Sequence, residues 1–486
     1  MPRITGFNVF PIAVPPDGFG SDPRNPNPIY SAAVLELLTD TPGLIGDSFV
    51  FTLGQGLCEQ AVFLDHTVRH FLFSEYTAPP LEQLAEGPEL GNFCRQMLAD
   101  SHYNWLGGAG VSRMAIGAIA NALWDLCAKF RGTTGWQYLA EKTPEDLAAF
   151  IDFTHIQDFL SREEALEMLR RAQAGKVQRI EALYQQGPAA YNTAGWSAVP
   201  DEMLVAKTRD MLQKSWPQIK VKAGAKYPTE GLEAALAFDF PRLKKVFETI
   251  SHAASQMKVA IDSNAIFDPA TAAEYITRLA VALDDAGGHR IAWFEEPTHA
   301  ASALGHLQVK RAMHERLRAM GREHIAVPIA TGEHCPAPVI FKDMLSGALG
   351  RIDIVQADYS RVGGVGDLIA ITLMARKAGA LICPHAGGIG LCEGVVNVQA
   401  FHEALFGPQA GAVVEFVEGG LHEGVYQFPA RVKEGHYVLH RGPVGNATAL
   451  TDLGKNTYRL PAGSIWRKPE NHAWGHRLTV STKGNS

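Results

Sequence analysis

The feature that most constrains this chain is a series of short apolar runs separated by stretches with helical spacing. The intervals are mostly about 25 to 40 residues, the length of one strand and one returning helix. The runs occupy residues 218–223, 258–262, 291–295, 329–331, 352–356, 380–384 and 413–416. With another strand predicted at 148–153 the total is eight, which predicts an α/β fold with a closed parallel TIM-type barrel.

The chain before the barrel has a different pattern. Strand-like segments at 4–14, 31–38 and 46–54 are followed by helical spacing at 60–73 and 111–130, which predicts an α+β domain. The Gly- and Pro-rich loop 17–30 is long for a plain connector, so it is either a lid or a mobile surface loop. Beyond residue 418 no further strand–helix unit follows, and the residues after 461 read as a polar tail.

Composition excludes several classes of protein. A chain of 486 residues with 46% hydrophobic residues can bury a large core, and its formal charge of −7 provides no electrostatic surface for nucleic acid. No apolar run approaches the roughly 20 residues of a membrane span, and the N-terminus does not resemble a signal peptide. Six scattered cysteines without a Cys-x-x-Cys pair predict neither a disulfide framework nor a zinc site, so we expect a cytoplasmic protein.

Three carboxylates stand at the ends of consecutive predicted strands: Asp262, Glu295 and Glu333. The carboxyl ends of barrel strands meet at one rim, where active sites of such barrels lie. A set of acids without neighbouring His or Cys ligands suits a hard cation such as Mg²⁺ better than zinc. Each acid alone could be a solvated charge or a helix cap, but the set of three predicts a metal site.

Lys220 and Lys222 precede these acids on the strand Gln-Ile-Lys-Val-Lys-Ala-Gly. Side chains of a strand alternate between its faces, so both ammonium groups point the same way while Ile219 and Val221 point the other way. On an edge strand they would be surface lysines. A barrel has no edges, and the apolar alternates suit the layer against the helices, so the lysines face the mouth. Near a cation and a second ammonium the pKa of a lysine falls, and it can act as a base.

Asp358 and His385 follow the next two predicted strands after Glu333. Neighbouring parallel strands bring them close, so the carboxylate can hold one ring nitrogen and leave the other as a proton carrier. A lone histidine beside a proline is more often structural, but the pairing favours catalysis. Glu415, on the last predicted strand, is a further candidate for bonding the substrate or leaving group.

These motifs resemble the enolase superfamily, mandelate racemase subgroup. The similarity is greatest to L-fuconate dehydratases and fungal L-galactonate dehydratases, over residues 20–442. The matching motifs are Lys-Val-Lys, Asp-Ser-Asn, Glu-Glu-Pro, Thr-Gly-Glu-His, Gln-Ala-Asp-Tyr-Ser-Arg-Val-Gly-Gly and Pro-His-Ala-Gly-Gly-Ile-Gly.

The resemblance implies a (β/α)7β barrel at 146–417 under a capping domain formed by 1–145 and completed by 418–486. It implies Mg²⁺ on the three carboxylates and dehydration of a six-carbon acid sugar to a 2-keto-3-deoxy acid. Lys222 would remove the proton α to the carboxylate, assisted by Lys220, and His385, held by Asp358, would protonate the leaving 3-hydroxyl. Substrate contacts are expected at Glu415 and, within the matching motifs, at Asn264 and His334.

Two alternatives stay open. The same residues could racemise or epimerise a 2-hydroxy acid, because proton carriers on both faces of an enolate permit 1,1-proton transfer, or the chain could bind an acid sugar without catalysis. The sequence does not fix the oligomeric state, although barrels of this kind often assemble symmetrically, so we expect a homo-oligomer.

Overall fold

A computed structural model describes residues 2–15, 20–74, 78–288, 290–419 and 421–479. The chain begins with a three-stranded antiparallel sheet in which β2 lies between β1 and β3. Nine helices precede the barrel in the described residues. The strands are β1 (Ile4–Ala13), β2 (Ser31–Thr39) and β3 (Ile45–Thr52), and the helices are α1 (Leu57–Phe73), α2 (Leu81–Ala85), α3 (Glu89–Leu98), α4 (Ser101–Trp105), α5 (Val111–Phe130), α6 (Gly135–Glu141), α7 (Pro144–Ala149), α8 (Arg162–Arg171) and α9 (Lys176–Gln185).

The barrel contains eight parallel strands that alternate with seven helices. Its strands are β4 (Ala190–Gly195), β5 (Gln218–Lys222), β6 (Lys258–Asp262), β7 (Ile291–Glu295), β8 (Ile329–Thr331), β9 (Ile354–Val355), β10 (Leu381–Ile382) and β11 (Val414–Phe416). Its helices are α10 (Asp201–Gln213), α11 (Tyr227–His252), α12 (Pro269–Asp285), α13 (Ala303–Ala319), α14 (Pro338–Ser346), α15 (Val365–Ala378) and α16 (Leu391–Phe406). This alternation is the predicted (β/α)7β architecture.

The strands follow one another around the sheet, and β11 pairs with β4. At the other side of β11, the backbone N–H of Glu415 donates to the carbonyl of Pro384, 3.3 Å away, just after β10. The outer strands of the sheet therefore meet, and the carboxyl ends of all eight strands surround one mouth.

The predicted strand at 148–153 is wrong. Residues Pro144–Ala149 form helix α7, because Thr143 and Asp146 form a reciprocal capping box and Pro144 occupies the first turn. The first barrel strand is instead β4, whose fully buried sequence Ala-Tyr-Asn-Thr-Ala-Gly lacks an alternating apolar pattern. The other seven predicted strands are present, although β9 and β10 are shorter than predicted.

The C-terminal segment folds back over the N-terminal sheet. The Leu460 amide donates to the Pro11 carbonyl (3.0 Å), the Thr448 hydroxyl to the Asp47 carbonyl (3.0 Å), and the Cys58 thiol to the Leu478 carbonyl (3.0 Å). The segment contains β12 (Val432–Lys433), β13 (His436–Tyr437), α17 (Asp452–Tyr458) and α18 (Pro469–Thr479). The predicted polar tail after 461 is therefore helical as far as Thr479, and residues 480–486 lie outside the described residues. The division into a capping domain (1–145 with 418–486) and a barrel (146–417) stays a proposal that these contacts support.

Helix α5 joins the N-terminal region to the barrel through small residues. A Cβ at Gly117 would lie 2.3 Å from the carbonyl oxygen of Val362, so only glycine permits this approach. The side chain of Asn121 donates to the Tyr359 carbonyl (3.1 Å). These contacts fix the loop after β9, which carries Asp358.

The cysteines and the apolar helices are the candidates for disulfides and for membrane spans. All six cysteines are buried and free, as the scattered spacing predicts. Within the described ranges, no helix has the length and apolarity needed to cross a membrane.

Candidate active site

Strand β5 sends its two lysines into the barrel mouth. Ile219 and Val221 are fully buried, and both ammonium groups reach carboxylates of other strands. The Nζ of Lys220 lies 2.8 Å from oxygens of both Glu295 and Glu415. Lys222 pairs with Asp262, and its Nζ lies 3.0 Å from the Asn264 side-chain oxygen. The alternation of the strand thus places both charges on one face.

The three candidate metal ligands come together because their strands are in register. Lys222 is opposite Asp262, and Asp262 is opposite Glu295. Glu333 reaches the same place after a turn at Gly332, where φ is 145° and a Cβ would lie 2.8 Å from the Gln356 backbone. One oxygen from each of Asp262, Glu295 and Glu333 lies within 4.8 Å of the others, and all three side chains are buried.

The charges around these acids fit a bound cation. One oxygen of Glu333 is buried without a hydrogen-bond partner. Burial raises the pKa of Glu295 to about 8 despite Lys220, and burial together with Glu296 raises the pKa of Glu333. Raised pKa values at buried acids indicate negative charge that the protein does not fully compensate. A donor set of carboxylate oxygens suits Mg²⁺.

The predicted lowering of the lysine pKa beside a cation stays a prediction, and the ion pairs of the two lysines act in the opposite direction. Burial disfavours the charged form of Lys222, but the Asp262 carboxylate outweighs burial and the pKa is raised. The pKa of Lys220 is raised well above its usual value, because Glu295 and Glu415 outweigh burial in the same way. Ion pairing therefore dominates over the repulsion between the two ammonium groups.

His385 and Asp358 form an isolated bridge between the ends of β9 and β10. The Nδ1 of His385 lies 2.7 Å from an Asp358 oxygen, and the other Asp358 oxygen accepts from the amide and hydroxyl of Ser360 (2.7 and 3.1 Å). The Nε2 of His385 lies 3.4 Å from a Glu333 oxygen and 3.7 Å from a Glu415 oxygen. Burial lowers the pKa of His385, but Glu333 and Asp358 outweigh it and raise the value to about 10. The ring is thus held as a proton donor.

The three predicted substrate-binding residues line the same cavity as the lysines and His385. Glu415 accepts from Lys220, from the Thr193 hydroxyl and from the Ala386 amide (3.1 Å). Asn264 donates to Glu333 (3.3 Å) and accepts from Lys222. His334 is partly exposed, and its Nδ1 lies 2.8 Å from Glu296. The structure therefore brings all ten predicted residues to one mouth, and their roles stay proposals.

Three residues beside the carboxylates have a strained backbone. Asn264, Ala265 and Glu296 have φ values of 47°, 59° and 45°, a region that non-glycine residues rarely adopt. Asn264 follows Asp262 by two residues, and Glu296 follows Glu295 directly. Such strain persists only where surrounding contacts enforce it, and it is common at functional sites.

Part of the predicted lid lies over the mouth, whereas Asp17, Gly18 and Phe19 lie outside the described residues. The guanidinium of Arg24 donates to the Ala265 carbonyl (2.9 Å), beside Asn264. The backbone carbonyl and hydroxyl of Ser21 accept from the amides of Ser197 and Ala198 (2.9 and 2.8 Å) after β4. Residues 20–30 therefore cover the site, as a lid would.

Sequence reasoning missed several residues that line the cavity. These residues are Asp22, Asn25, Tyr30, Phe51, Leu53, Trp196 and Arg361. Trp196 was missed because β4 was not recognised. The residues before 54 come from the N-terminal region and only the fold brings them here. Arg361 lies in the motif Gln-Ala-Asp-Tyr-Ser-Arg-Val-Gly-Gly, but was assigned no role from the sequence.

Comparisons with known proteins agree with this geometry. Residues 203–444 match the family model described as Enolase C-terminal domain-like. Mitochondrial enolase superfamily member 1 of Bos taurus is 32% identical over 472 residues, covering 96% of this chain and 98% of that protein. The chain belongs to the enolase superfamily. The predicted family is therefore confirmed.

Relatives within the superfamily include the L-galactonate dehydratase of Hypocrea jecorina, 32% identical over 440 residues and 89% of each chain. The crystal structure of human mitochondrial enolase superfamily member 1 superposes with a TM-score of 0.83 at 30% identity, covering 96% of this chain and 98% of that chain. The structure of an L-talarate dehydratase from Polaromonas sp. JS666, complexed with Mg and L-glucarate, has the same fold (TM-score 0.62, 19% identity, covering 94% and 98%). The predicted barrel fold is confirmed.

Proposed function

We propose that this superfamily member dehydrates a six-carbon acid sugar of the L-fuconate or L-galactonate type to a 2-keto-3-deoxy acid. The observation that supports the proposal is that Lys222 pairs with Asp262 while His385 Nε2 lies 3.4 Å from Glu333, in one cavity. Lys222 ends β5 and His385 follows β10; Asp262 ends β6, Glu295 ends β7, and Glu333 follows β8. The L-galactonate dehydratase among the relatives supports the reaction class.

The cofactor of the proposed reaction is Mg²⁺, held by Asp262, Glu295 and Glu333. Bound there, it would supply positive charge for the substrate carboxylate and for the charge that develops when the α-proton leaves. The Glu333 oxygen that lacks a hydrogen-bond partner and the raised pKa of Glu295 support this assignment.

Lys222 is the proposed base. A lysine accepts a proton only in its neutral form, so Lys222 must be released from its ion pair with Asp262 before it acts. Its Nζ then takes the proton from C2 of the substrate. Lys220 stays charged between Glu295 and Glu415 and stabilises the negative charge that forms on the substrate carboxylate.

His385 is the proposed acid. Asp358 holds Nδ1, so Nε2 carries the proton toward the cavity. As the C3–O bond breaks, Nε2 gives this proton to the departing hydroxyl, which leaves as water. The resulting enol takes up a proton at C3 and becomes the 2-keto-3-deoxy acid. Asn264, His334 and Glu415 are positioned to bond oxygens of the sugar chain.

The test is incubation of the purified protein and Mg²⁺ with a library of acid sugars, with 2-keto acids detected as semicarbazones. We expect turnover of at least one six-carbon aldonate. If no six-carbon aldonate reacts, the substrate assignment is wrong. Loss of turnover in the Lys222→Ala protein with retained binding separates an enzyme from a silent binder.

A racemase or epimerase is the second candidate, because proton carriers stand on both sides of the carboxylates. Exchange of the α-hydrogen in D₂O without loss of water would select it. Association into a symmetric homo-oligomer remains a prediction, to be measured by light scattering of the purified chain.

A further inference from the structure

Arg361 lines the catalytic cavity, and the proposed function gives it no role. It follows Asp358 by three residues on the loop after β9. This loop is fixed by the bonds from Ser360 to Asp358 and from Asn121 to the Tyr359 carbonyl. The backbone at Arg361 is therefore fixed by the same contacts that fix the His385–Asp358 pair.

The guanidinium of Arg361 differs from the other cationic groups around the cavity. Lys220, Lys222, His334 and His385 each lie within 4 Å of a carboxylate oxygen. Among the described residues, Arg361 has no such partner; its described hydrogen bond runs from Nη1 to the Met114 sulfur (3.5 Å), a weak acceptor. Its Nε is buried without any partner.

A partly buried guanidinium without an acceptor is costly, because it has lost water without gaining an equivalent hydrogen bond. Several donors in a planar fork suit oxygen atoms, especially paired oxygens. Asp262 and Glu295 pair with the lysines, and Glu333 accepts from Asn264 and lies 3.4 Å from His385; among the described ion pairs within 4 Å, none joins Arg361 to these three acids. A ligand in the cavity that Arg361 lines can supply the acceptor that its guanidinium lacks.

We propose that Arg361 is a specificity-determining residue that donates hydrogen bonds to oxygen atoms of the acid sugar other than those held at the carboxylate cluster. The inference rests on the proposed function and deepens it. Arg361 would favour acids that carry further oxygen atoms, as hydroxyl groups or as a second carboxylate, over acids with an apolar substituent.

The experiment compares Arg361→Met and Arg361→Lys with the unchanged protein in the presence of Mg²⁺. Arg278→Met, which removes an exposed arginine of α12, is the control for loss of one charge. Steady-state kinetics on the reacting six-carbon aldonate give KM and kcat, calorimetry gives its Kd, and thermal melting reports folding.

We expect Arg361→Met to raise KM and Kd at least about tenfold while kcat changes less than threefold and the melting temperature is kept. Arg361→Lys keeps the charge but loses the planar guanidinium, so its KM and Kd should lie between those of Arg361→Met and of the unchanged protein. The KM and Kd of Arg278→Met should equal those of the unchanged protein. KM and Kd within twofold in Arg361→Met would overturn the inference. Should both Arg361 variants fail to fold, a crystal structure of the unchanged protein with Mg²⁺ and the aldonate decides, and a guanidinium farther than 4 Å from every ligand oxygen overturns it.

The two proposals fail differently. If the unchanged protein binds an acid sugar without dehydrating it, the proposed reaction is wrong and the Kd comparison still tests Arg361. If it dehydrates the sugar and Arg361→Met has an unaltered KM, only the role of Arg361 is wrong.

Discussion

In the part of the chain that the structure describes, two clusters of lysine and buried carboxylates differ in which of their polar atoms lack a hydrogen bond. In the N-terminal region the Nζ of Lys129 lies 2.6 Å from both Asp47 and Asp125 and 2.9 Å from the Ile45 carbonyl. Both oxygens of Asp125 have partners, the amides of Asp47 (2.8 Å) and Asn446 (2.6 Å). This cluster ties β3, α5 and the C-terminal segment together.

The barrel mouth also contains lysines and buried carboxylates, but not all of their polar atoms are hydrogen-bonded. Glu333 retains a buried oxygen without a hydrogen-bond partner, and a cavity adjoins the charges. A cluster that satisfies itself stabilises the fold, whereas a cluster that stays incomplete can bind a cation and a charged substrate. The predictions below test this distinction.

The largest effect is expected for Lys222→Ala. Removing the base should lower kcat by about 10³-fold or more, because the α-proton has no other positioned acceptor. The measurement is 2-keto acid formation, together with exchange of the α-hydrogen in D₂O. Lys226→Ala, which removes an exposed lysine four residues along the chain, should keep full activity. Activity of Lys222→Ala within tenfold of the unchanged protein would contradict the assignment.

Lys129→Met should lower the free energy of unfolding by about 3 kcal/mol or more, because Asp47 and Asp125 are left buried without their cation. Urea unfolding measures this, with Lys226→Met as an exposed control expected to cost less than about 1 kcal/mol. Turnover per folded molecule should stay within twofold. A large loss of turnover at unchanged stability would show that the comparison of the two clusters is wrong.

Removal of Mg²⁺ with a chelator should lower the melting temperature, since ligand at 100 times its Kd stabilises a fold by about 2.7 kcal/mol. Glu333→Gln should lose most of this Mg²⁺ dependence, because it removes charge from the incomplete cluster. Asp47→Asn should keep it. Equal Mg²⁺ dependence in all three proteins would place the cation elsewhere.

A smaller effect concerns His306, a buried group without an opposite charge beside it. Its Nδ1 lies 2.8 Å from the Ser302 carbonyl, its Nε2 has no partner, and burial lowers the pKa to about 4. The unfolded chain takes up a proton near pH 6.5 and the folded chain does not. Stability should therefore fall as pH drops from about 6.5 to about 4, by up to about 1.4 kcal/mol per pH unit.

His306→Gln should remove this component from urea unfolding measured between pH 4 and 7. An unaltered pH profile would show that His306 is protonated in the folded protein, and that burial alone does not decide its charge. His385, which is also buried but paired, is the contrasting case with a raised pKa.

Much of the site could be predicted because its residues stand where strands end. Lys222, Asp262 and Glu295 end predicted strands, and βα repeats bring all such ends to one rim. Helices α12 and α14 begin at Pro269 and Pro338, and a proline in the first turn is a start signal that the sequence itself carries. The carboxylate that pairs with each lysine could not be predicted, since the pairing depends on contacts between different strands.

The sequence by itself determined the repeat, the strand-end charges and the family, because alternation and spacing are local properties that the chain carries in any conformation. Only the tertiary structure decided that Ala190–Gly195 is the first barrel strand, since its pairing with β5 and β11 outweighs its weak pattern. It also decided that residues 20–30 cover the mouth and that Arg361 faces the cavity without a carboxylate partner. These facts depend on contacts between segments hundreds of residues apart, which no local pattern records.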